Sequence, residues 1–233
     1  MENENLKVAR LKSLNNLHNE KKNRYKNSLS LKNLIINKLF INSFFYKILL
    51  ISLGIKVGVN TKFLGPINFI ITGKIENILL GDDILFHKNI TLKVRENGKI
   101  IINNKVVLDE NVRLVAAREG AIEIGEGTNI GANTIINSGG VTKIGKYCLI
   151  SNNCNINSSS HGTSINNYIM DQSHHHGKII IENDVWLGGF VTIAIDSHLK
   201  EGVIVGANSF VNSILPEYSI NVGCPTRQIG SRK

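Results

Sequence analysis

Apolar side chains at every sixth position predict an all-β fold for this sequence, a left-handed parallel β-helix with an N-terminal helical arm. A period of six fits neither a 3.6-residue helix nor an alternating strand. It suits a chain that turns a corner every six residues, so that three steps close one triangular coil and the coils stack around a shared core. The apolar positions are Leu80, Phe86, Leu92, Ile102, Leu108, Leu114, Ile124, Ile130, Ile136, Ile144, Ile150, Ile156, Ile181, Leu187, Ile193, Leu199, Val205 and Val211.

The spacing between coils is the second observation behind this prediction. The six-residue step lengthens only after the third member of a triplet, as between Leu92 and Ile102 or between Ile156 and Ile181. Insertions therefore collect at one corner of the triangle, and the longest is predicted to protrude as a loop at about residues 162–178. Residues four positions after the apolar ones are mostly small or β-branched and should pack inside the corners: Val106, Val112, Thr128, Thr134, Cys148, Cys154, Val185, Val191, Val203 and Ser209.

Residues 1–54 lack this register and are predicted to form a basic, mainly helical N-terminal arm, followed by a β-helix domain of residues 55–230. The entry segment 55–79 has strand-like apolar residues in poor register, so irregular first coils are expected there. We interpret the arm as a cap on the β-helix or on a neighbouring subunit, with peripheral membrane contact as the alternative. Apolar residues of the arm that can share much of a helix face are Leu31, Leu34, Ile35, Leu39, Ile41 and Phe45.

The charge of the chain is concentrated at its start. The formal net charge is +9, and the first 50 residues hold ten Lys/Arg against three acidic residues. The remainder is nearly neutral, so we expect no nucleic-acid partner for the β-helix. Three cysteines without CxxC spacing favour reduced thiols, and the polar start favours no secretory signal. These features predict a cytoplasmic location, with the inner face of the membrane as the alternative for the basic arm.

Residues 181–230, IENDVWLGGFVTIAIDSHLKEGVIVGANSFVNSILPEYSINVGCPTRQIG, resemble the C-terminal half of the hexapeptide-repeat acyltransferases. The DVWLGG element, the VGANSFV coil and the GCPTRQIG tail occur in the order and spacing of that superfamily, and the resemblance covers roughly residues 75–230. It is similar in particular to polysaccharide and sugar O-acetyltransferases. The resemblance implies a homotrimer of β-helices that uses acetyl-CoA as acyl donor, bound in the groove between neighbouring subunits.

The resemblance also identifies His161 as the catalytic general base, since it precedes the VWLG element at the head of the longest insertion. A neutral imidazole can take the proton of an attacking hydroxyl or amine near physiological pH, which typically accelerates such a step by ~10²–10⁴-fold. Asn137 lies at the same corner one coil earlier and is expected to bind the acceptor or to help position His161. The alternative is an asparagine that satisfies its own turn. Enzymes of simple sugars often have asparagine in place of Gly131 and aspartate near Gly139, so this chain favours a polysaccharide or glycan-precursor acceptor.

Donor-binding residues follow from the same resemblance. Trp186 would line the groove, and a backbone N–H of Gly188 or Gly189 would stabilise the oxyanion. The backbone of the VGANSFV coil would pair with the pantetheine amides, and the Arg227 guanidinium would meet the phosphorylated adenosine end. The residues implied are Trp186, Gly188, Gly189, Ala207, Asn208, Ser209 and Arg227.

A run of three histidines, His174, His175 and His176, lies inside the long insertion. Three adjacent residues of a strand cannot all point at one ion, and no cysteine or carboxylate lies at metal-ligand spacing. We therefore expect no metal, and we interpret the run as part of a flexible loop that overhangs the active site.

These features predict an acetyl-CoA-dependent O-acetyltransferase that acts on a saccharide hydroxyl, in surface polysaccharide or glycan biosynthesis. An N-acetyltransferase of an amino-sugar nucleotide would use the same base and groove, and the sequence does not separate the two. A β-helix metalloprotein of the γ-carbonic-anhydrase type and a non-catalytic scaffold are the remaining alternatives. The expected partners are further copies of the chain and a saccharide or sugar-nucleotide acceptor.

Overall fold

The computed structural model describes residues 42–233, in which one α-helix precedes a three-sided parallel β-helix. Helix α1 is Ser43–Ser52, and two 3₁₀ helices in this range are Ile75–Asn77 and Ile169–Asp171. The strands in chain order are β1 Lys56–Val57, β2 Lys62–Phe63, β3 Asn68–Ile71, β4 Ile78–Leu80, β5 Leu85–Phe86, β6 Thr91–Val94, β7 Lys99–Ile102, β8 Val107–Leu108, β9 Arg113–Ala116, β10 Ala121–Ile124, β11 Asn129–Ile130, β12 Ile135–Ser138, β13 Val141–Ile144, β14 Leu149–Ile150, β15 Asn155–Asn157, β16 Ser159–His161, β17 His174–His176, β18 Lys178–Ile181, β19 Trp186–Leu187, β20 Thr192–Ile193, β21 His198–Leu199, β22 Ile204–Val205, β23 Phe210–Val211, β24 Ile214–Leu215, β25 Ser219–Val222 and β26 Arg227–Ser231.

Successive strands fall on three faces, which confirms the predicted all-β parallel β-helix. Face A contains β1, β4, β7, β10, β13, β18, β21 and β24, face B contains β2, β5, β8, β11, β14, β19, β22 and β25, and face C contains β3, β6, β9, β12, β15, β20 and β23. Strands within a face are parallel and in register, as between β10 and β13. Strand β26 adds to β25 in the antiparallel sense. Each coil contributes one strand to each face, and the 7 strands of face C correspond to seven complete coils.

The core lies along the axis and follows the six-residue register. All eighteen predicted apolar positions are buried, with exposed fractions of at most 4%. The small and β-branched positions four residues later are buried as well. Thr128 shows why a hydroxyl is tolerated there, because it donates to the Gly145 carbonyl at 2.8 Å and accepts from the Cys148 amide at 3.0 Å. The hydroxyl thus satisfies backbone groups of the next coil.

The entry segment is more regular than the sequence indicated. Strands β1–β3 pair in register with β4–β6, and the ring of Phe63 stacks on that of Phe86 at 5.0 Å. The six-residue step is present from Val57 to Phe63 to Phe69, but the long corner at residues 72–77 obscures its continuation to the next coil. The prediction of irregular first coils was therefore wrong.

Helix α1 closes the open end of the first coil. The Asn42 side chain caps it by accepting from the amides of Phe44 and Phe45, both at 3.1 Å. Tyr46 and Leu50, one turn apart, are buried, and the Tyr46 hydroxyl both donates to the Ile67 carbonyl and accepts from the Ile67 amide. Burial is the main cause that raises the pKa of Tyr46 above its usual value.

Most of the predicted arm, residues 1–41 with Leu31, Leu34, Ile35, Leu39 and Ile41, lies outside the described residues. Phe45, the last member of its predicted apolar face, is exposed on α1. No helix in the described part of the chain is long and apolar enough to cross a bilayer.

Candidate active site

Insertions fall at the corner between face C and face A, here called the C–A corner. The chain turns there through residues 95–98, 117–120 and 139–140 in successive coils. After β15 it leaves the β-helix for residues 158–177 and returns at β18. This excursion contains β16 and β17, an antiparallel pair that we call the histidine ribbon together with its loop 162–173.

The three adjacent histidines form a strand, which corrects their interpretation as part of a flexible loop. His174 pairs with His161, His175 with Ser160, and His176 with Ser159. This pairing could not be predicted from the sequence, because SSH and HHH have no apolar alternation. Backbone hydrogen bonds between the two segments hold the extended conformation instead.

The ribbon brings His161 into contact with two further imidazoles. The ring centroids of His161 and His174 are 4.0 Å apart. The rings of His174 and His176 stack with their centroids 5.9 Å apart and 11° between their planes. His174 and His176 share one face of the strand because they are two residues apart, whereas His175 points to the other face. Within residues 42–233, no side chain forms a hydrogen bond with the ring nitrogens of His161.

Desolvation and nearby positive charge favour the neutral forms of the exposed His174 and His176 side chains. Partial burial lowers the pKa of His174 below 6.5, and the charges of His161 and Arg118 add to the effect. Partial burial likewise lowers the pKa of His176, with Arg118 as the next cause. Near neutral pH these two side chains are therefore hydrogen-bonding groups without charge.

Buried serines anchor the base of the ribbon. The Ser158 hydroxyl is fully buried, accepts from the Gly140 amide at 3.2 Å and lies 3.2 Å from the Ser138 hydroxyl. The Ser158 carbonyl accepts from the Gly177 amide at 3.0 Å, where the excursion returns. The two ends of the excursion are thus fixed to one coil, which gives His161 a rigid base.

Gly139 lets the ribbon lie close to the corner. A methyl group at this position would collide with the imidazole of His176 and with the Ser159 hydroxyl. Those two groups are hydrogen-bonded to each other at 3.0 Å. The absence of a side chain at Gly139, where the sequence departs from the simple-sugar enzymes, therefore has a steric reason in this chain.

Asn137 is connected to the ribbon through a neighbouring asparagine. It lies on β12 in register with Asn157 on β15, and its amide nitrogen is 3.4 Å from Asn157 Oδ1. The same Oδ1 accepts from the Ser159 amide at 3.1 Å, at the start of β16. The contacts of Asn137 thus lead to the ribbon backbone, and no described contact joins it directly to His161.

A cleft of about 260 Å³ opens beside these residues at the C–A corner. Its polar lining includes Arg95, Arg118, Asn137, Ser159, His174 and His176. The two arginines were not predicted from the sequence. A signal was available, because each follows the third apolar residue of a triplet by three or four positions, at the corner where insertions collect.

The predicted donor residues lie elsewhere on the β-helix. Trp186 is on face B, 46% exposed, and its indole nitrogen donates to the Ser151 hydroxyl at 3.4 Å. Gly188 and Gly189 form the following corner between faces B and C. The Gly188 amide donates to the Val205 carbonyl at 2.8 Å, whereas the Gly189 amide has no acceptor among the described residues. Gly189 is therefore the member of the pair whose N–H can meet a ligand.

The next coil continues this corner with Ala207, Asn208 and Ser209. Ala207 and Asn208 are exposed, and Asn208 has a left-handed backbone with φ of 56°. Ser209 is buried, its hydroxyl accepts from the Gly223 amide at 3.0 Å and its carbonyl accepts from the Thr192 amide at 2.9 Å. Ser209 therefore supports the coil with its side chain. Arg227, on β26, is exposed.

One chain does not bring the predicted catalytic and donor residues together. His161 and Asn137 lie at or beside the C–A corner, whereas Trp186, the glycine pair and the residues around Asn208 lie on face B and at the B–C corner. Among residues 42–233 no group of three or more His, Cys, Asp or Glu side chains is arranged to hold a metal ion.

Comparison with known sequences identifies three acyltransferase relatives. The chain is 31% identical over 140 residues to a dTDP-4-amino-4,6-dideoxy-D-glucose acyltransferase of Escherichia coli, covering 57% of this chain and 72% of the relative. It is 26% identical over 144 residues to WbbJ of Escherichia coli K12, named as a lipopolysaccharide biosynthesis O-acetyl transferase, covering 58% and 74%. It is 26% identical over 157 residues to a protein of Mycobacterium tuberculosis named as an acetyltransferase, covering 67% of this chain but 50% of that relative. No protein-family model matches the sequence.

Solved structures share the fold. AntD, an N-acyltransferase from Bacillus cereus solved as a variant with dTDP and coenzyme A, matches with a TM-score of 0.60 and 24% identity over 83% of this chain and 92% of its own. NeuO, a polySia specific acetyltransferase, matches with a TM-score of 0.59 and 19% identity over 76% and 86%. The hexad register, the three-faced β-helix and the relative of 31% identity agree, and this chain belongs to the hexapeptide-repeat acyltransferase superfamily.

Proposed function

We propose that this protein is an acetyl-CoA-dependent O-acetyltransferase that acts on a saccharide hydroxyl during assembly of a surface polysaccharide or related glycan. The observation that carries the proposal is His161, held on a ribbon anchored at both ends and placed beside a polar cleft. WbbJ, with 26% identity over 74% of its length, is named as an O-acetyl transferase of lipopolysaccharide biosynthesis and supports the same chemistry.

In this reaction the imidazole of His161 takes the proton of the acceptor hydroxyl while that oxygen bonds to the thioester carbon. The Gly189 N–H stabilises the negative charge that develops on the former carbonyl oxygen. The carbon–sulfur bond then breaks, the proton passes from the imidazole to the sulfur, and the products are an acetyl ester and coenzyme A. Asn137 acts as a positioning residue, since its contacts lead through Asn157 to the ribbon that carries His161.

Acetyl-CoA, the acyl donor, fits the chemistry of the residues on face B, at the B–C corner and on β26. Trp186 presents a half-exposed aromatic surface, Gly189 and Ala207 present backbone without bulky side chains, and Arg227 is an exposed cation suited to a phosphate. Because these residues and His161 lie at different corners, we infer that the site is completed between subunits of a homotrimer. The His161 ribbon of one subunit then faces the donor residues of the next.

We further infer a cytoplasmic location, because acetyl-CoA is a metabolite of that compartment. The basic residues of the arm, 1–54, suit a peripheral contact at the inner membrane surface, with the β-helix of 55–230 as the catalytic part.

The base is tested by His161→Ala, with His175→Ala as the matched control on the opposite face of the ribbon. Acetyl transfer is followed as coenzyme A release that depends on added saccharide. His161→Ala should lower kcat by ~10²–10⁴-fold with unchanged donor binding, and His175→Ala should not. A rate near that of the unchanged protein in His161→Ala would exclude this role.

The intersubunit site is tested by mixing two impaired variants, His161→Ala and Trp186→Ala. In mixed trimers about a quarter of the interfaces combine an intact His161 with an intact Trp186. Activity should therefore reappear on mixing and refolding together. Mixtures that stay as inactive as the separate variants would contradict a shared site.

The second candidate is N-acyl transfer to an amino-sugar nucleotide. It is favoured by the relative of 31% identity, which is named as an acyltransferase of such an amino sugar. Coenzyme A release with dTDP-amino sugars but not with hydroxyl acceptors would select this alternative.

A further inference from the structure

Two arginines from successive coils converge at the cleft beside the histidine ribbon. Strands β6 and β9 pair in register as far as Val94 and Ala116, so Arg95 and Arg118 follow in neighbouring turns of the C–A corner. Both line the cleft together with His174 and His176. Two cations that line one cleft repel each other, and an anion bound in the cleft would relieve that repulsion.

The Arg95 guanidinium provides a second observation that favours an anion at this cleft. Its Nε is buried and has no hydrogen-bond partner among the described residues. Buried polar groups are nearly always paired, so an unpaired charged donor marks a position where a ligand acceptor belongs.

The acidic residue of the cleft offsets one of the two positive charges. Glu96 also lines it, and one carboxylate oxygen accepts from the backbone amide of Arg118 at 2.9 Å. That bond joins two successive turns of the corner, in which Glu96 and Arg118 each have a left-handed backbone. Counting Arg95, Arg118 and Glu96, the lining has a net positive charge. The lowered pKa values of His174 and His176 agree, since the charge of Arg118 contributes to both.

We propose that this cleft binds an anionic group of the acceptor, a carboxylate or a phosphate, and thereby orients a neighbouring hydroxyl toward His161. This inference rests on the proposed transferase function and narrows its substrate to a charged saccharide. A guanidinium matches either anion with two parallel hydrogen bonds. Ser159 and Asn137 add neutral polar groups to the same lining. Because His174 lines the cleft and its ring is 4.0 Å from that of His161, the bound sugar lies next to the base.

The test measures binding rather than turnover. Three probes share one ring and differ in charge: methyl glucuronide has a carboxylate, glucose 1-phosphate has a phosphate, and methyl glucoside is neutral. Binding to the full chain is followed by the ring proton signals of His174 and His176. The variants are Arg95→Gln and Arg118→Gln, and Arg113→Gln is the control, since it removes the same charge from β9 outside the cleft lining.

At least one anionic probe should bind about tenfold or more tightly than methyl glucoside, and each cleft variant should lose about tenfold of that affinity. The preferred anion identifies a carboxylate or a phosphate acceptor. Arg113→Gln should bind like the unchanged protein. Failure of both anions to bind more tightly than the neutral probe, or equal affinities in the cleft variants, would overturn the inference. Transferase activity is judged separately by saccharide-dependent coenzyme A release. An enzyme that acetylates neutral acceptors and has no preference for the anionic probes would refute the anionic cleft but not the proposed transferase function.

Discussion

Gly139→Ala tests whether the ribbon geometry controls the chemistry. The added methyl group would meet the His176 imidazole and the Ser159 hydroxyl well inside normal contact distance, so these two side chains must shift from their positions beside the corner. The move breaks the 3.0 Å hydrogen bond between these groups, a loss of about 0.5–1.5 kcal/mol. Strain of about 1–3 kcal/mol adds to it unless the ribbon relaxes fully. Together these losses come to about 0.5–4.5 kcal/mol, so the melting temperature should fall by about 1–18 °C, at about 2–4 °C per kcal/mol for a chain of this size.

The rate of acetyl transfer should fall as well. A displacement of about 1 Å at a catalytic group can cost ~10²-fold, so kcat of Gly139→Ala should fall by about this factor. Saccharide-dependent coenzyme A release measures the rate, and the ring proton signals of His174 and His176 report the displacement without requiring activity. Gly65→Ala is the control, because the nearest atom to its added methyl group is the flexible Lys88 side chain at 3.2 Å. If both kcat and the ring signals of Gly139→Ala match the unchanged protein, the argument from the ribbon geometry is wrong.

Two further predictions concern the same corner. Arg118→Gln should raise the pKa values of His174 and His176, since removing a cation eases protonation, and histidine proton titration by NMR measures both. In the unchanged protein these pKa values lie below that of an unfolded histidine, so acidification below about pH 6.5 should lower thermal stability. If the pKa values of His174 and His176 do not change in Arg118→Gln, the charge of Arg118 does not contribute to lowering them. Ser158→Ala should reduce the free energy of unfolding by about 1–3 kcal/mol in urea, because the Gly140 amide loses its partner and the Ser138 hydroxyl loses one of its contacts. The exposed Ser160→Ala is its control, and equal unfolding of the two variants would contradict the anchoring role.

The candidate site was only partly predictable. Position in the register located His161 at the corner of insertions, and Asn137 one coil earlier. It did not reveal that Asn157 lies between Asn137 and the ribbon, or that the Gly188 amide is already bound to the Val205 carbonyl. The contact of Asn137 with Asn157 joins residues 20 positions apart, and that of Gly188 with Val205 joins residues of successive coils. A change of one residue in corner length would move every later partner.

The sequence by itself determined the coil. A six-residue apolar period is satisfied when those side chains are buried along a common axis. The eighteen apolar positions from Leu80 to Val211 are buried as that period requires. Only the tertiary structure decided what the corners do. The pairing of SSH with HHH, the cleft between Arg95, Arg118 and the imidazoles, and the separation of His161 from Trp186 depend on how corners of unequal length stack. Buried apolar positions repeat every six residues, so they can be recognised from the sequence. Contacts between polar side chains at a corner join residues of different coils, so they depend on how the coils stack.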